Sequence, residues 1–212
     1  MKIDSRAIAG IAGKFFSEMD KAIAKSEKEG VECGFGFCKG KEVYITELEK
    51  GGRYYITKKA ECKMGDKRIG DFHTHPKGPL YFSCGDISYA LYNGLDFMCI
   101  GAGGSETIIK NGEEEYPTHC VKCVVIDQDL SRRLKYRPLF TRLRKIEWEI
   151  LNVMYERPQE FEKYKDIYKD FSKVRKKLFE VAEKYKFLEY RAPVRDFFDK
   201  SERIVGEEVV EG

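Results

Sequence analysis

Histidine is scarce in this chain, with three in 212 residues. Two of them, His73 and His75, stand one residue apart. Long hydrophobic runs are missing. No segment approaches the roughly 18 consecutive apolar residues of a membrane span, so none is expected. Nothing at the start reads as a secretory leader: MKIDSRAIAGIAGKFFSEMDK carries acidic residues at helical spacing. An excess of one charge is missing too. The 39 basic and 36 acidic residues leave a net +3, which excludes a polycation. No internal repeat is visible. Cysteine is present in an odd number, seven. Without a leader, an odd count argues against a secreted disulfide framework, and reduced thiols in the cytoplasm are the expectation.

The length allows one ordinary domain with an appendage, and enough chain for a real core. Residues 4–29 read as one helix, with Ile8, Ile11, Phe15, Met19 and Ile23 as its apolar stripe and Gly30 as its stop. Short strands follow. VECGFGFC (31–38) places Phe35 and Phe37 on one face and Glu32, Gly34 and Gly36 on the other. The phenylalanine face suits the core, which leaves Glu32 on a glycine-lined surface with room for an approaching group. Further strands are expected at 43–48, 53–57 and 68–75, the last ended by Pro76. Ser83 reads as the N-cap of a short helix closed by Gly94, and 97–100 as an apolar strand. Segments 107–110 and 116–126 read as a hairpin around Asn111-Gly112.

The composition changes near Arg132. A helix is expected between Pro138 and Pro158, with a stripe of Leu139, Leu143, Ile146, Ile150 and Val153. A longer, heptad-like helix runs from Tyr164 to Leu188, and the end of the chain is acidic. The reading is α+β: a mixed sheet with an inserted helix over residues 1–132, then a helical extension over 133–212.

The chemistry gathers in FHTHPKGPLYFSCGD (72–86). His73 and His75 lie two apart on a strand, so both leave the same face. Asp86, at the start of the next helix, supplies a carboxylate. Two histidines, one carboxylate and one open position suit a catalytic zinc ion. Attack of water on a carbonyl also needs a base, for which Glu32 is the candidate, and an oxyanion donor, for which Ser83 is the candidate. The plainer account of S-x-x-D is a capping arrangement, and the two accounts are compatible.

HTHPKGPLYFSCGD resembles the signature of the JAMM (MPN-plus, Mov34/JAB) zinc metalloproteases, and VECGFGFC resembles that family's upstream glutamate strand. The resemblance covers residues 1–130 and implies a cytidine-deaminase-like α/β/α core. It implies that His73, His75 and Asp86 bind Zn2+, that Glu32 holds and deprotonates the catalytic water, and that Ser83 stabilises the oxyanion. Where many members have proline before the serine, this chain has Phe82; near the third position after the glutamate it has Phe35 in place of a small residue. The implied activity is hydrolysis of an amide bond, often an isopeptide, with deubiquitinase-like chemistry. A ubiquitin-like or sulfur-carrier protein is the expected substrate. The alternative is a RadC-like or non-catalytic protein whose helical extension docks a protein or nucleic acid.

Other clusters compete. His119, Cys120 and Cys123 have metal-ligand or redox chemistry, but no second C-x-x-C accompanies them. Cys84 is a rival nucleophile that would leave the histidine and aspartate spacing unexplained. The basic residues of 173–177 are interleaved with acidic ones, as on a solvated helix face. The aromatic residues of that helix suit a packed core or a homodimer seam.

Overall fold

The computed structural model describes residues 5–52, 60–76, 82–103, 108–110, 113–115, 119–127, 129–184 and 188–191. The fold is α+β, and the residues group into two compact units. One is drawn from 1–81, 95–125 and the chain from 189; the other is drawn from 82–94 and 126–188.

The first unit is built on a mixed sheet. Its strands are β1 (Cys33–Lys39), β2 (Val43–Ile45), β3 (Glu49–Lys50), β4 (Lys67–Thr74), β5 (Phe97–Ala102), β8 (Cys120–Ile126) and β9 (Leu188–Arg191). They lie in the order β2-β1-β4-β5-β8-β9, with β3 also on β1. β1 and β4 are antiparallel, β4 and β5 parallel, and β5 and β8 antiparallel. A separate hairpin joins β6 (Ile108–Lys110) and β7 (Glu113–Glu115). The long hairpin expected over 107–126 is therefore not formed. Lys110 pairs with Glu113, and the apolar β8 goes to the main sheet instead; the turn expected at Asn111-Gly112 lies outside the described residues. The strand expected at 53–57 lies outside the described residues.

The single helix expected over 4–29 is two, α1 (Ser5–Lys14) and α2 (Phe16–Glu29). Phe15 breaks them, with φ −106° and ψ 17°, and its ring packs edge-on at 5.9 Å from Phe37. Glycines at 10 and 13 weaken the preceding turns. Gly30 ends α2 in the left-handed region at φ 67°, donating to the Ser26 carbonyl at 2.8 Å. Met19 and Ile23 join Phe35, Phe37, Phe72 and Phe97 in one buried cluster. Phe35 meets Phe72, and Phe37 meets Phe97, at 5.1 Å between ring centroids. Each such side chain contributes about 1.5–3 kcal/mol by burial. A Cβ at Gly70 would fall 2.5 Å from the Phe97 ring, so that ring needs a glycine opposite it.

Two disulfides, Cys38–Cys62 and Cys99–Cys123, overturn the expectation of reduced thiols. Cys99 and Cys123 are direct cross-strand partners of β5 and β8, a neighbourhood that single-sequence spacing does not reveal. Cys33 and Cys84 are free and buried.

The second unit holds α3 (Cys84–Tyr92), α4 (Leu130–Glu156), a 3-10 turn at Pro158–Glu160 and α5 (Phe161–Lys184). α4 starts eight residues before Pro138 rather than at it. Asp129 caps it, accepting from the Ser131 and Arg132 amides, and Tyr136 and Phe140 are buried on either side of the proline. Capping and burial outweigh the lost hydrogen bond. The buried stripe is Arg133, Tyr136, Phe140, Leu143, Glu147, Ile150 and Val153, while Leu139 stays exposed. α5 stops at Lys184, and Leu188, expected within it, begins β9. No helix among the described residues is long and apolar enough to cross a membrane.

Candidate metal centre

The β1/β4 register sorts the faces. Gly34 opposes His73, Phe35 opposes Phe72 and Gly36 opposes Asp71. Opposed residues in an antiparallel pair share a face. Phe35 and Phe72 point into the core, so Gly34, Gly36, Asp71 and His73 point the other way. Glu32 and His75 lie just outside the paired residues, and alternation along the chain puts Glu32 on the side of Gly34 and His73. The ends of this pair are tied down. The Glu32 amide donates to the Gly52 carbonyl and the Gly51 amide to the Glu32 carbonyl, both at 2.9 Å. The Cys33 amide donates to Thr74 Oγ1 at 2.9 Å, and the His75 amide to the Gly101 carbonyl at 2.8 Å. Glu32 and His73 are both buried, at 9% and 5% exposure.

His73 Nε2 and His75 Nε2 are 3.1 Å apart. One ligand atom from each histidine and one carboxylate oxygen of Asp86 lie within 4.8 Å of one another. A tetrahedral zinc ion with bonds of about 2.0–2.1 Å would separate two ligating nitrogens by about 3.3 Å, so the imidazole pair fits that ion. The N,N,O donor types suit it as well.

Asp86 is held by a capping box at the start of α3. Its Oδ2 accepts from the Ser83 amide at 2.7 Å, and its own amide donates to Ser83 Oγ at 3.0 Å. Capping and ligation are compatible, because the box engages one carboxylate oxygen. Ser83 Oγ accepts one bond there and keeps its own proton to donate.

The glycine-lined face is less open than its sequence suggests. A Cβ at Gly36 would lie 2.5 Å from the Arg68 guanidinium, which fills that space. Arg68 Nε pairs with Asp71 Oδ1 at 2.6 Å, and Nη1 donates to the Ala60 carbonyl at 2.9 Å. Asp71 is fully buried. Two residues before a candidate ligand, the sheet thus carries a buried carboxylate neutralised by its own arginine.

Around α3, Cys84 is a poor nucleophile: burial, then the charge of Glu147, pushes its thiol up to about 12. Glu147 is itself buried, and its Oε2 accepts from the Gly85 amide at 3.3 Å. Burial first, then the charge of Asp86, raises its carboxyl to about 7, while Arg175 opposes the rise. Arg175 Nε lies 3.6 Å from Glu147 Oε1, and its Nη2 donates to the Phe82 carbonyl. Sequence reasoning missed both residues. The signal was a charge inside the apolar stripe, since Glu147 sits four residues after Leu143 and three before Ile150.

The second cluster does not survive as a C-x-x-C pair. Cys123 is bonded to Cys99 and cannot pair with Cys120 around a metal or in a redox couple. His119 faces α2, with Nδ1 2.6 Å from Asp20 Oδ1 and Nε2 3.6 Å from Glu27 Oε2. On α5, Lys165 pairs with Glu162 and Lys176 with Glu180, as a solvated face does. No known family's sequence profile matches the chain, and no curated protein matches it.

Proposed function

We propose that the chain is a zinc-dependent (iso)peptidase of JAMM type, with a JAMM-like core. The observation that carries this reading is the gathering of His73, His75 and Asp86 within 4.8 Å, a donor set suited to zinc. Strand alternation, by which Glu32 falls on the side of Gly34, supports it. His73, His75 and Asp86 hold the ion. When bound, it supplies Lewis-acid chemistry that lets water attack a carbonyl near neutral pH. Glu32, shielded from solvent, takes the proton of the attacking water and passes it to the leaving amine. Ser83, fixed by its capping box, donates its hydroxyl proton to the developing oxyanion. The substrate class is an amide or isopeptide at the end of a ubiquitin-like or sulfur-carrier protein. A cytoplasmic location is part of this proposal; disulfides are compatible with it in heat-adapted organisms.

The test has two parts. Elemental analysis is expected to give one zinc per chain, lost in His73→Ala. A panel of ubiquitin-like and sulfur-carrier fusions, with and without chelator, is expected to yield a cleaved product by mass spectrometry. Glu32→Gln should keep the zinc and the fold while slowing cleavage by about 10²-fold or more. A folded, metal-free wild type would sink the reading.

A second reading has its own observation. Outside its buried stripe, the 130–146 part of α4 holds Arg132, Lys135, Arg137, Arg142, Arg144 and Lys145, and no acidic residue. Arg137 also stacks on Tyr92 at 4.4 Å. This supports a RadC-like or non-catalytic protein whose helical extension docks nucleic acid. DNA binding that weakens steeply with salt favours it, and no binding in low salt counts against it.

A further inference from the structure

We infer that Glu147 and Arg175, both from the helical extension, are positioning residues that set the geometry of Asp86 as a metal ligand. The inference rests on the metal reading above. The first turn of α3 carries both Asp86 and Ser83. The first four amides of a helix have no partner within it, and here they belong to Ser83, Cys84, Gly85 and Asp86. The capping box serves two of them: Ser83 donates to Asp86 Oδ2 at 2.7 Å and Asp86 to Ser83 Oγ at 3.0 Å. Glu147 serves a third: its Oε2 accepts from Gly85 at 3.3 Å.

Arg175 closes the arrangement from the other side of the cap. It donates to the Phe82 carbonyl and pairs with Glu147 at 3.6 Å. Phe82, Arg175, Glu147 and Gly85 thus form a ring of polar contacts around Ser83. The contacts join residues 62 and 93 positions apart, so α4 and α5 fix the backbone of 82–85 from outside it. Backbone direction there decides where the Asp86 carboxylate points, since its Oδ2 is committed to the Ser83 amide. Without the strut, the Gly85 amide loses its acceptor and the turn relaxes toward other partners. The extension is then part of the metal site.

The full-length chain is titrated with zinc alone, in competition with a chromophoric chelator, well below the unfolding temperature of every variant. The visible spectrum of the Co2+-substituted protein is recorded beside it. Glu147→Ala is expected to weaken zinc binding by about 10–100-fold, the range for outer partners of metal ligands, and to alter the Co2+ bands. Glu147→Gln, which keeps an acceptor oxygen for the Gly85 amide, is expected to recover most of the affinity. Glu149→Ala, on an exposed position of α4, is expected to bind as wild type. Should Glu147→Ala fail to fold, Arg175→Met carries the test, with about tenfold weaker binding expected. Wild-type affinity with unchanged Co2+ bands in a folded Glu147→Ala, or in Arg175→Met when that variant stands in, overturns the inference. A folded wild type that takes up no zinc overturns the metal reading itself, a result distinct from a strut that proves irrelevant.

Discussion

Glu147 combines a charge with burial, and the consequence is a dependence of stability on pH. In the metal-free folded protein its carboxyl keeps a proton until about pH 7, against an ordinary 4.5. Between those values the folded state binds more protons than the unfolded one, so stability falls as pH rises through the window. The loss is complete above the folded value and amounts to at most about 3 kcal/mol. Denaturant unfolding of the metal-free protein at a series of pH values from 4 to 8 should show wild type declining relative to Glu147→Gln. Parallel profiles would refute this. At this scale the sequence was informative where residue type and spacing agree: the two histidines brought together two residues apart, and Asp86 three residues into a cap. It was silent about Arg68 and Asp71, and about Glu147 and Arg175. Such pairs depend on neighbours brought together by folding, and a charged residue in an apolar stripe reads as an interruption until its partner is seen.

At the scale of elements, periodicity located most helices and strands but misplaced several ends. Phe15 divides the first helix because its ring packs against Phe37, a tertiary effect that overrides local spacing. Pro138 sits inside α4 because capping at Asp129 and burial of Tyr136 and Phe140 continue the helix through it. β8 leaves its expected hairpin because its apolar residues find β5. The disulfides belong to this scale as well. Cys38–Cys62 ties β1 to the segment before β4 across a separation of 24 residues. Opening a loop of that length is expected to cost about 3 kcal/mol, read as a lower denaturation midpoint in Cys38→Ser. An unchanged midpoint would show that the bridge adds nothing to the sheet.

At the scale of the molecule, the sequence does not announce how the units are assembled. α3 lies between two strands of the sheet in chain order, yet it belongs to the compact unit of α4 and α5. Cys84, Ile87, Ala90 and Leu91 are its buried apolar residues. A chain truncated at residue 129 is therefore not a trimmed domain: it strips α3 of its packing partner. Such a chain is expected to bind a hydrophobic dye and to lose a sharp thermal transition. A truncated protein with wild-type cooperativity would show that the extension is dispensable.

β9 has a bearing on solubility. It joins the sheet next to β8 from beyond the long helices. A strand at the rim of a sheet offers a row of open amides and carbonyls to any passing chain. By lying along β8, Leu188–Arg191 takes up that side of an apolar strand and leaves a rim of four residues in its place. That segment is short and carries Glu189 and Arg191, features by which natural sheets discourage edge-to-edge pairing.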